Sequence, residues 1–367
     1  MHDPIRRVAF HGFRSFQHAT VELRDLNVLI GVNGAGKSNF IDGLMLLRDI
    51  AAGRFQEFVA QRVGAHRILH RGGVAPGMGV EVRSDRVDYV AQLGASEVDR
   101  LFFLSEGFTT PPGREGLALH HDPQSAFSRP GQRESALVHY QGVGADEVEA
   151  FAARLRGIQR WHFVDTRAQG VLRQAADLHD NRGLDPHGGN LAAWLYLLRS
   201  RHRGAFTQVQ GALRLVAPFI AELVVEPQAL NPHSVVVQWR QVGLEGLFDV
   251  GHLSDGTLRF LALASVLLQP EPPSLIVLDE PELGLHPHAL HVLVELLQDA
   301  ARRTQVIVAT QSRQIVDLVA AEDVIIAQRE GAGTTLRRLD TEELRPWLDE
   351  YSQGELWEMN VLSGVGG

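Results

Sequence analysis

The sequence predicts an α/β fold with a mixed sheet core, antiparallel strands at the N-terminus, a helical lobe in the middle and no coiled-coil arm. Three features predict it. A continuous apolar run over 26–30 leads into a glycine-rich loop and then an apolar-periodic helix over 39–52. The last third alternates helix and strand, a rhythm that requires crossovers and a parallel sheet. Between the glycine loop and the next motif lie about 215 residues without a sustained heptad repeat, so no long coiled-coil arm is expected.

Taken in order, residues 8–23 alternate apolar and polar and predict two short strands with a turn near Gln17 and His18. Alternation returns over 80–103, and 105–133, rich in Gly, Pro, Ser and His, reads as a loop or irregular hairpin. A short helix over 147–156 and a short strand over 161–164 follow. Two amphipathic helices are expected over 190–223, with Leu191, Trp194, Leu195 and Leu198 on one face of the first. A strand pair at 234–239 and 247–250 closes that lobe. Then come helix 257–268, strand 275–278, helix 288–302 and strands 305–310 and 323–328. Asp340 with Glu343 resembles a capping box opening a final helix that accommodates Pro346 in its first turns.

At 367 residues, with 44% apolar and 22% charged residues, the chain has the makings of a substantial core. No apolar run reaches the length of a membrane span and the first residues carry no secretory pattern, so a cytoplasmic protein without a membrane partner is expected. The absence of cysteine excludes disulfides, thiolate metal sites and cysteine nucleophiles. A net charge of −9 argues against a wholly basic nucleic-acid surface and leaves room for a local basic groove. Lys37 is the sole lysine among 35 basic residues. In so arginine-biased a chain, a retained lysine marks a place where a compact ammonium fits and a planar guanidinium does not.

Lys37 lies in Gly31-Val-Asn-Gly-Ala-Gly-Lys-Ser38, which satisfies the phosphate-loop pattern, with a buried strand before it and a helix after. Its glycines let backbone N–H groups converge on phosphates, Lys37 reaches the β/γ oxygens, and Ser38 suits Mg2+. At 274–282 an apolar strand ends in Asp279, Glu280 and Glu282. An aspartate there holds a magnesium shell and the adjacent glutamate orients and deprotonates a water; a solvated acidic turn is the plainer alternative. Leu253-Ser-Asp-Gly-Thr257 opens a helix, and it reads both as a simple N-cap and as a site for an anionic phosphate. The basic cluster Arg199, Arg201, His202 and Arg203 complements a helix C-terminus or contacts a phosphate backbone.

In this order, the phosphate loop, LSDGT, LIVLDEPE, LGLHP and VIVATQS resemble the ABC ATPase head, an ABC-ATPase-type P-loop fold. More narrowly they resemble the RecF, SMC and OLD-like branch of stand-alone AAA-type ATPases. FRSF near the start, DPHGGNLAAWLYLLR in the middle and YSQGELWEMNVLSG at the end carry the likeness along the chain.

The resemblance implies ATP and Mg2+ as cofactors and an ATP-dependent homodimer that closes head-to-tail. Gly31, Asn33, Gly34, Ala35, Gly36, Lys37, Ser38 and Asn39 would contact the nucleotide. Ser254, Asp255 and Gly256 would contact ATP held by the other copy, and 283–287 would link the two sites. Ser38 and Asp279 become metal ligands, Glu280 the catalytic base and Gln311 the switch residue. Arg14 resembles an arginine that approaches the nucleotide. Transporter heads usually carry histidine at the switch; glutamine cannot become cationic, which implies slow or partner-dependent hydrolysis. The usual glutamine loop has no clear counterpart, and Asp165 and Thr166 stand in for it. The expected division is a nucleotide-binding lobe over 1–168, a helical lobe over 169–251, and signature, acids and switch over 252–367. For the role, the resemblance implies a DNA-linked repair or chromosome process. The alternative is a switch for a separate effector, a nuclease or toxin in phage defence acting in trans, and a transporter energy subunit is the remotest reading.

Overall fold

The computed structural model describes residues 3–71, 77–109, 131–142, 144–348 and 350–359. The chain forms two compact units, Met1–Ile158 with Ala320–Gly367, and Gln159–Val319.

In the first unit, strands β1 (Ile5–Phe13) and β2 (Phe16–Glu22) form a hairpin with Val8 opposite Val21 and Phe13 opposite Phe16. The turn is therefore at Arg14 and Ser15, earlier than the pattern predicts, because Phe13 and Phe16 are both fully buried and their pairing fixes the register. Next come β3 (Leu26–Ile30), buried at every position, helix α1 (Lys37–Ala51) and the short helix α2 (Phe55–Gln61). Strands β4 (Gly77–Ser84), β5 (Asp88–Ala95) and β6 (Leu101–Thr109) complete a five-stranded antiparallel sheet in the order β2-β1-β4-β5-β6.

The loop expected from residue 105 gives way to β6 as far as Thr109. Glu106 anchors this extension: its carboxylate, 1% exposed, accepts from the Tyr89 hydroxyl at 2.6 Å, the Ala136 amide at 2.9 Å and the Ser135 hydroxyl. The rest of the expected loop, including His120 and His121, lies outside the described residues. Helix α3 (Ala145–Arg156) follows.

An aromatic cluster ties this hairpin to α1. Phe10 lies 5.4 Å from Phe13, 6.0 Å from Phe16 and 6.2 Å from Phe40, centroid to centroid, and all four are fully buried. Gly43 on α1 permits the approach: a Cβ there would meet the Phe10 ring at 2.4 Å.

The second unit begins within β7 (Ile158–Trp161), upstream of the strand expected over 161–164, and continues with the short β8 (Ala176–Asp177). Helices α4 (Leu191–Arg201) and α5 (Arg203–Val216) follow. Asn190 explains the motif before α4. Its side chain, 3% exposed, donates to the carbonyls of Asp180 and Gly183 and accepts from the Asp185 amide, folding 180–190 onto itself. The helix expected to reach residue 223 stops at Val216. Pro218 and the β-branched Val224 and Val225 favour extended chain instead, and β9 (Ile220–Gln228) pairs antiparallel with β10 (Asn231–Gln241). Strand β11 (Phe248–Asp249) follows, then α6 (Asp255–Leu267), β12 (Leu275–Asp279), α7 (Pro287–Ala301), β13 (Gln305–Thr310) and α8 (Arg313–Leu318). Strands β12 and β13 are parallel, Ile276 opposite Val306, and buried at every position.

The chain then returns to the first unit. There β14 (Val324–Glu330) lies parallel to β3 and antiparallel to β15 (Gly333–Arg338), a strand the sequence reading omits. Two helices, α9 (Thr341–Leu348) with Pro346 inside it and α10 (Gln353–Glu358), come last.

Candidate functional site

The phosphate-loop segment joins β3 to α1. Gly34 and Gly36 adopt φ of 79° and 114°, left-handed values that disfavour residues with a side chain. Gly36 is further required by its neighbours, since a Cβ there would meet Thr334 at 2.7 Å. At Gly31 a Cβ would meet the Ala327 carbonyl oxygen at 2.5 Å. Helix α1 opens directly after Gly36 with no side-chain cap, so its first-turn amides and positive dipole end face the loop. Lys37 is 7% exposed, and its ammonium donates to the Gly31 carbonyl at 2.6 Å and the Val32 carbonyl at 3.4 Å. Ser38 is exposed and Asn39 half-buried.

The β1–β2 turn sits against the same helix. Arg14, at φ 48°, donates to Asp42 at 2.9 Å and to Asn39 at 3.3 Å. Asn39 in turn donates to the Ser15 hydroxyl at 2.7 Å. Burial lowers the Arg14 pKa, with Asp42 opposing. Arg62 also pairs with Asp42, at 3.0 Å. Sequence patterns single out Arg14 and Asn39 and include Ser15 in FRSF without a role, but miss Asp42 and Thr334, which belong to no motif.

In the second unit the acids stand at the end of β12. Asp279 is 8% exposed and accepts from the Arg160 guanidinium at 2.7 Å. Glu280 has φ 48°, a left-handed conformation costly for a side chain of its size, and its amide donates to Ala309 on β13. Its carboxylate accepts from the Gln311 side-chain amide at 2.7 Å. Glu282, two residues on, accepts from the Thr310 hydroxyl at 2.6 Å and the Gln311 backbone amide at 3.0 Å. Burial raises the Glu282 pKa. The structure thus brings Glu280 and Gln311 together, a contact the motifs do not state, gives Glu282 its partners, and adds Arg160, which no spacing rule points to.

The LSDGT segment opens α6. Ser254 is its N-cap, the hydroxyl accepting from the Thr257 amide at 3.2 Å, and Ser254 stays exposed. Asp255 is engaged by Arg173 at 2.7 Å, and Arg173 also donates to the carbonyls of Val250 and Leu253. Gly256 abuts the 283–287 segment, where a Cβ would meet the Gly284 carbonyl oxygen at 2.3 Å. Arg259, 6% exposed, reinforces that contact by donating to the Leu283 carbonyl, and it holds the Phe163 carbonyl at 2.6 Å.

Other polar residues of the second unit make local contacts. Asp165 is held by Arg167 at 2.8 and 3.0 Å, and the Thr166 carbonyl accepts from Arg173. Arg199 of the basic cluster is turned onto Glu226 and the Val225 carbonyl. His286 caps α7, and His288 bonds the Leu215 carbonyl.

The phosphate-loop residues fit a nucleotide triphosphate: glycines obligatory at close approach, an uncapped helix N-terminus and a buried ammonium seated among carbonyls. Ser38 offers an oxygen donor in the first unit; in the second, Asp279 offers a carboxylate with Arg160 already on one oxygen, and each taken by itself suits a magnesium shell.

A family model described as "AAA domain, putative AbiEii toxin, Type IV TA system" matches residues 26–317. The fold is that of solved SMC heads. One, an SMC head bound to the C-winged helix domain of ScpA, has a TM-score of 0.61 at 12% identity over 93% of this chain and 99% of that one. Another, an SMC head with an extended coiled coil bound to the C-terminal domain of ScpA, from Pyrococcus furiosus, has a TM-score of 0.58 at 12% identity, covering 95% and 99%. In sequence, 61 residues are 44% identical to the Nod factor export ATP-binding protein I of Rhizobium sp. (strain N33), covering 17% of this chain. The chain spans 19% of that relative's length.

The molecule is an ATPase of the AAA-domain class, and its fold is that of an SMC head. The chain belongs to the AAA-domain family whose description names the AbiEii toxin of type IV toxin–antitoxin systems. Among the described residues no helix is long and apolar enough to cross a membrane.

Proposed function

We propose that this chain is a magnesium-dependent ATPase switch that closes head-to-tail with a second copy on ATP and relays that closure to a separate protein effector. The observation that carries it is the Glu280–Gln311 hydrogen bond at 2.7 Å, on a glutamate held in left-handed backbone geometry. A base so restrained fits a timer that fires slowly rather than a high-turnover engine.

In this reading Lys37 and the amides of 31–39 bind the triphosphate, and Arg14 supports the approach from the β1–β2 turn. Ser38 of the first unit and Asp279 of the second would each supply an oxygen ligand to Mg2+, which would neutralise phosphate charge. Glu280 accepts a proton from the attacking water, and Gln311 orients that carboxylate and donates to developing phosphate charge. Exposed Ser254, with Asp255 and Gly256, meets the nucleotide of the second copy. The toxin–antitoxin wording of the family description favours a part in such a system over a DNA-linked process.

Glu280→Gln tests the core of the proposal. Nucleotide affinity should stay within about twofold while hydrolysis falls by about 10²-fold or more, and an ATP-dependent dimer should accumulate in light scattering. A Glu280→Gln protein that hydrolyses ATP like the parent removes the base assignment. A trapped dimer that retains nuclease-sensitive DNA and no protein would shift the role to the DNA-linked reading.

A further inference from the structure

Glu282 has no role in the account above, and its environment is unusual for an acid. One carboxylate oxygen, Oε1, accepts two hydrogen bonds from consecutive residues of the β13 end: the Thr310 hydroxyl at 2.6 Å and the Gln311 amide at 3.0 Å. The Thr310 hydroxyl accepts from the Ser312 amide at 2.9 Å, which orients its proton toward Glu282. The other oxygen, Oε2, is buried without a hydrogen-bond partner. A buried, half-satisfied carboxyl lowers stability, so packing alone gives no reason for it.

What the bonds do accomplish is fix the 310–312 turn. That turn carries the Gln311 side chain, whose amide lies on Glu280. Glu280 and Glu282 flank Pro281, so the turn after β12 grips the turn after β13 twice, once through each glutamate. The two grips differ in kind: Glu282 holds the Gln311 backbone and Glu280 holds its side chain.

We infer that Glu282 is a positioning residue for hydrolysis: it fixes the Gln311 backbone so that the Gln311 side chain holds the Glu280 carboxylate. The inference deepens the proposed function and rests on its assignment of Glu280 as base. In this role Glu282 acts through Gln311 and not on the reacting atoms.

A double-mutant cycle under single-turnover conditions, with Mg·ATP and the full chain, tests it. Glu282→Ala should lower the rate by about tenfold, with the ATP concentration at half-maximal rate changed by less than about twofold. Glu282→Gln, which keeps an acceptor oxygen, should recover most of that rate. Glu282→Ala combined with Gln311→Ala should be no slower than Gln311→Ala alone, since both remove one linkage. Hydrogen exchange of the 310–312 amides should rise in Glu282→Ala and stay near the parent in Glu282→Gln, a readout independent of turnover.

Losses that multiply in the double variant, a Glu282→Gln protein as slow as Glu282→Ala, or unchanged exchange at 310–312 would each overturn the positioning role. Those results leave the base assignment standing if Glu280→Gln is inactive. A Glu280→Gln protein with parental activity overturns the base assignment itself, and the catalytic part of this inference with it.

Discussion

The phosphate loop and the carboxylate turns are built by opposite means. The loop is shaped by backbone and by what cannot fit: Gly31 and Gly36 exclude any Cβ, and the Lys37 ammonium is held by main-chain carbonyls. The carboxylate turns are shaped by side chains holding one another: Arg160 on Asp279, Gln311 on Glu280, Thr310 on Glu282. Backbone constraints have one solution, whereas side-chain pairs can exchange partners at the cost of a rotamer change. The first region is therefore a fixed receptor and the second an adjustable one.

Substitutions separate the two. The largest effect should come at Lys37. Lys37→Arg keeps the charge but brings a planar fork into a site 7% exposed, and ATP affinity should fall by about 10²-fold in a fluorescent-nucleotide titration. An arginine variant that binds normally would show the loop to be less fixed than its geometry implies. Gly43→Ala tests the support beneath the loop, because the new methyl must displace Phe10. A loss of about 1–3 kcal/mol in denaturant unfolding is expected, as for other overpacked cores.

On the adjustable side, effects should be smaller and should fall on ligand dependence. Arg160→Gln releases Asp279, and the Mg2+ concentration needed for half-maximal hydrolysis should drop by about threefold to tenfold. A higher requirement would mean that Arg160 helps place the carboxylate instead of competing for it. The smallest expected effect concerns Glu106. Burial raises its pKa, so the folded state binds that proton more tightly than the unfolded chain does. Its contribution is fully present below the ordinary glutamate range and is lost as pH rises through the raised folded value. Thermal unfolding from pH 4 to 7 should show a downward slope with rising pH that flattens in Glu106→Gln.

The same contrast explains what the sequence discloses. The phosphate loop is local and written in glycines, so β3, the loop and α1 are legible within two residues. Strands β12 and β13 are equally legible, because a continuous apolar run suits a strand buried on both faces. Motif order singles out Glu280 and Gln311 separately, but not the hydrogen bond between them. Arg160 is 119 residues from Asp279, and no spacing rule reaches that far. Glu282 reads as a turn acid until its partners are seen. The β1–β2 turn is misplaced because Arg14 and Ser15 carry no glycine, proline or asparagine signal. Strand β9 is missed because the apolar residues of α5 run into it, although Pro218 marks the break. Strand β15 is short and polar, and only the turn signal Gly331 to Gly333 announces it.

The close approach of Gly256 to Gly284 has a mechanical consequence. Main chain approaches main chain there, and the Arg259 guanidinium donates to the neighbouring Leu283 carbonyl, so the start of α6 and the 283–287 segment are joined by a direct backbone approach and one side-chain bridge. A displacement of either one is therefore passed to the other with little slack.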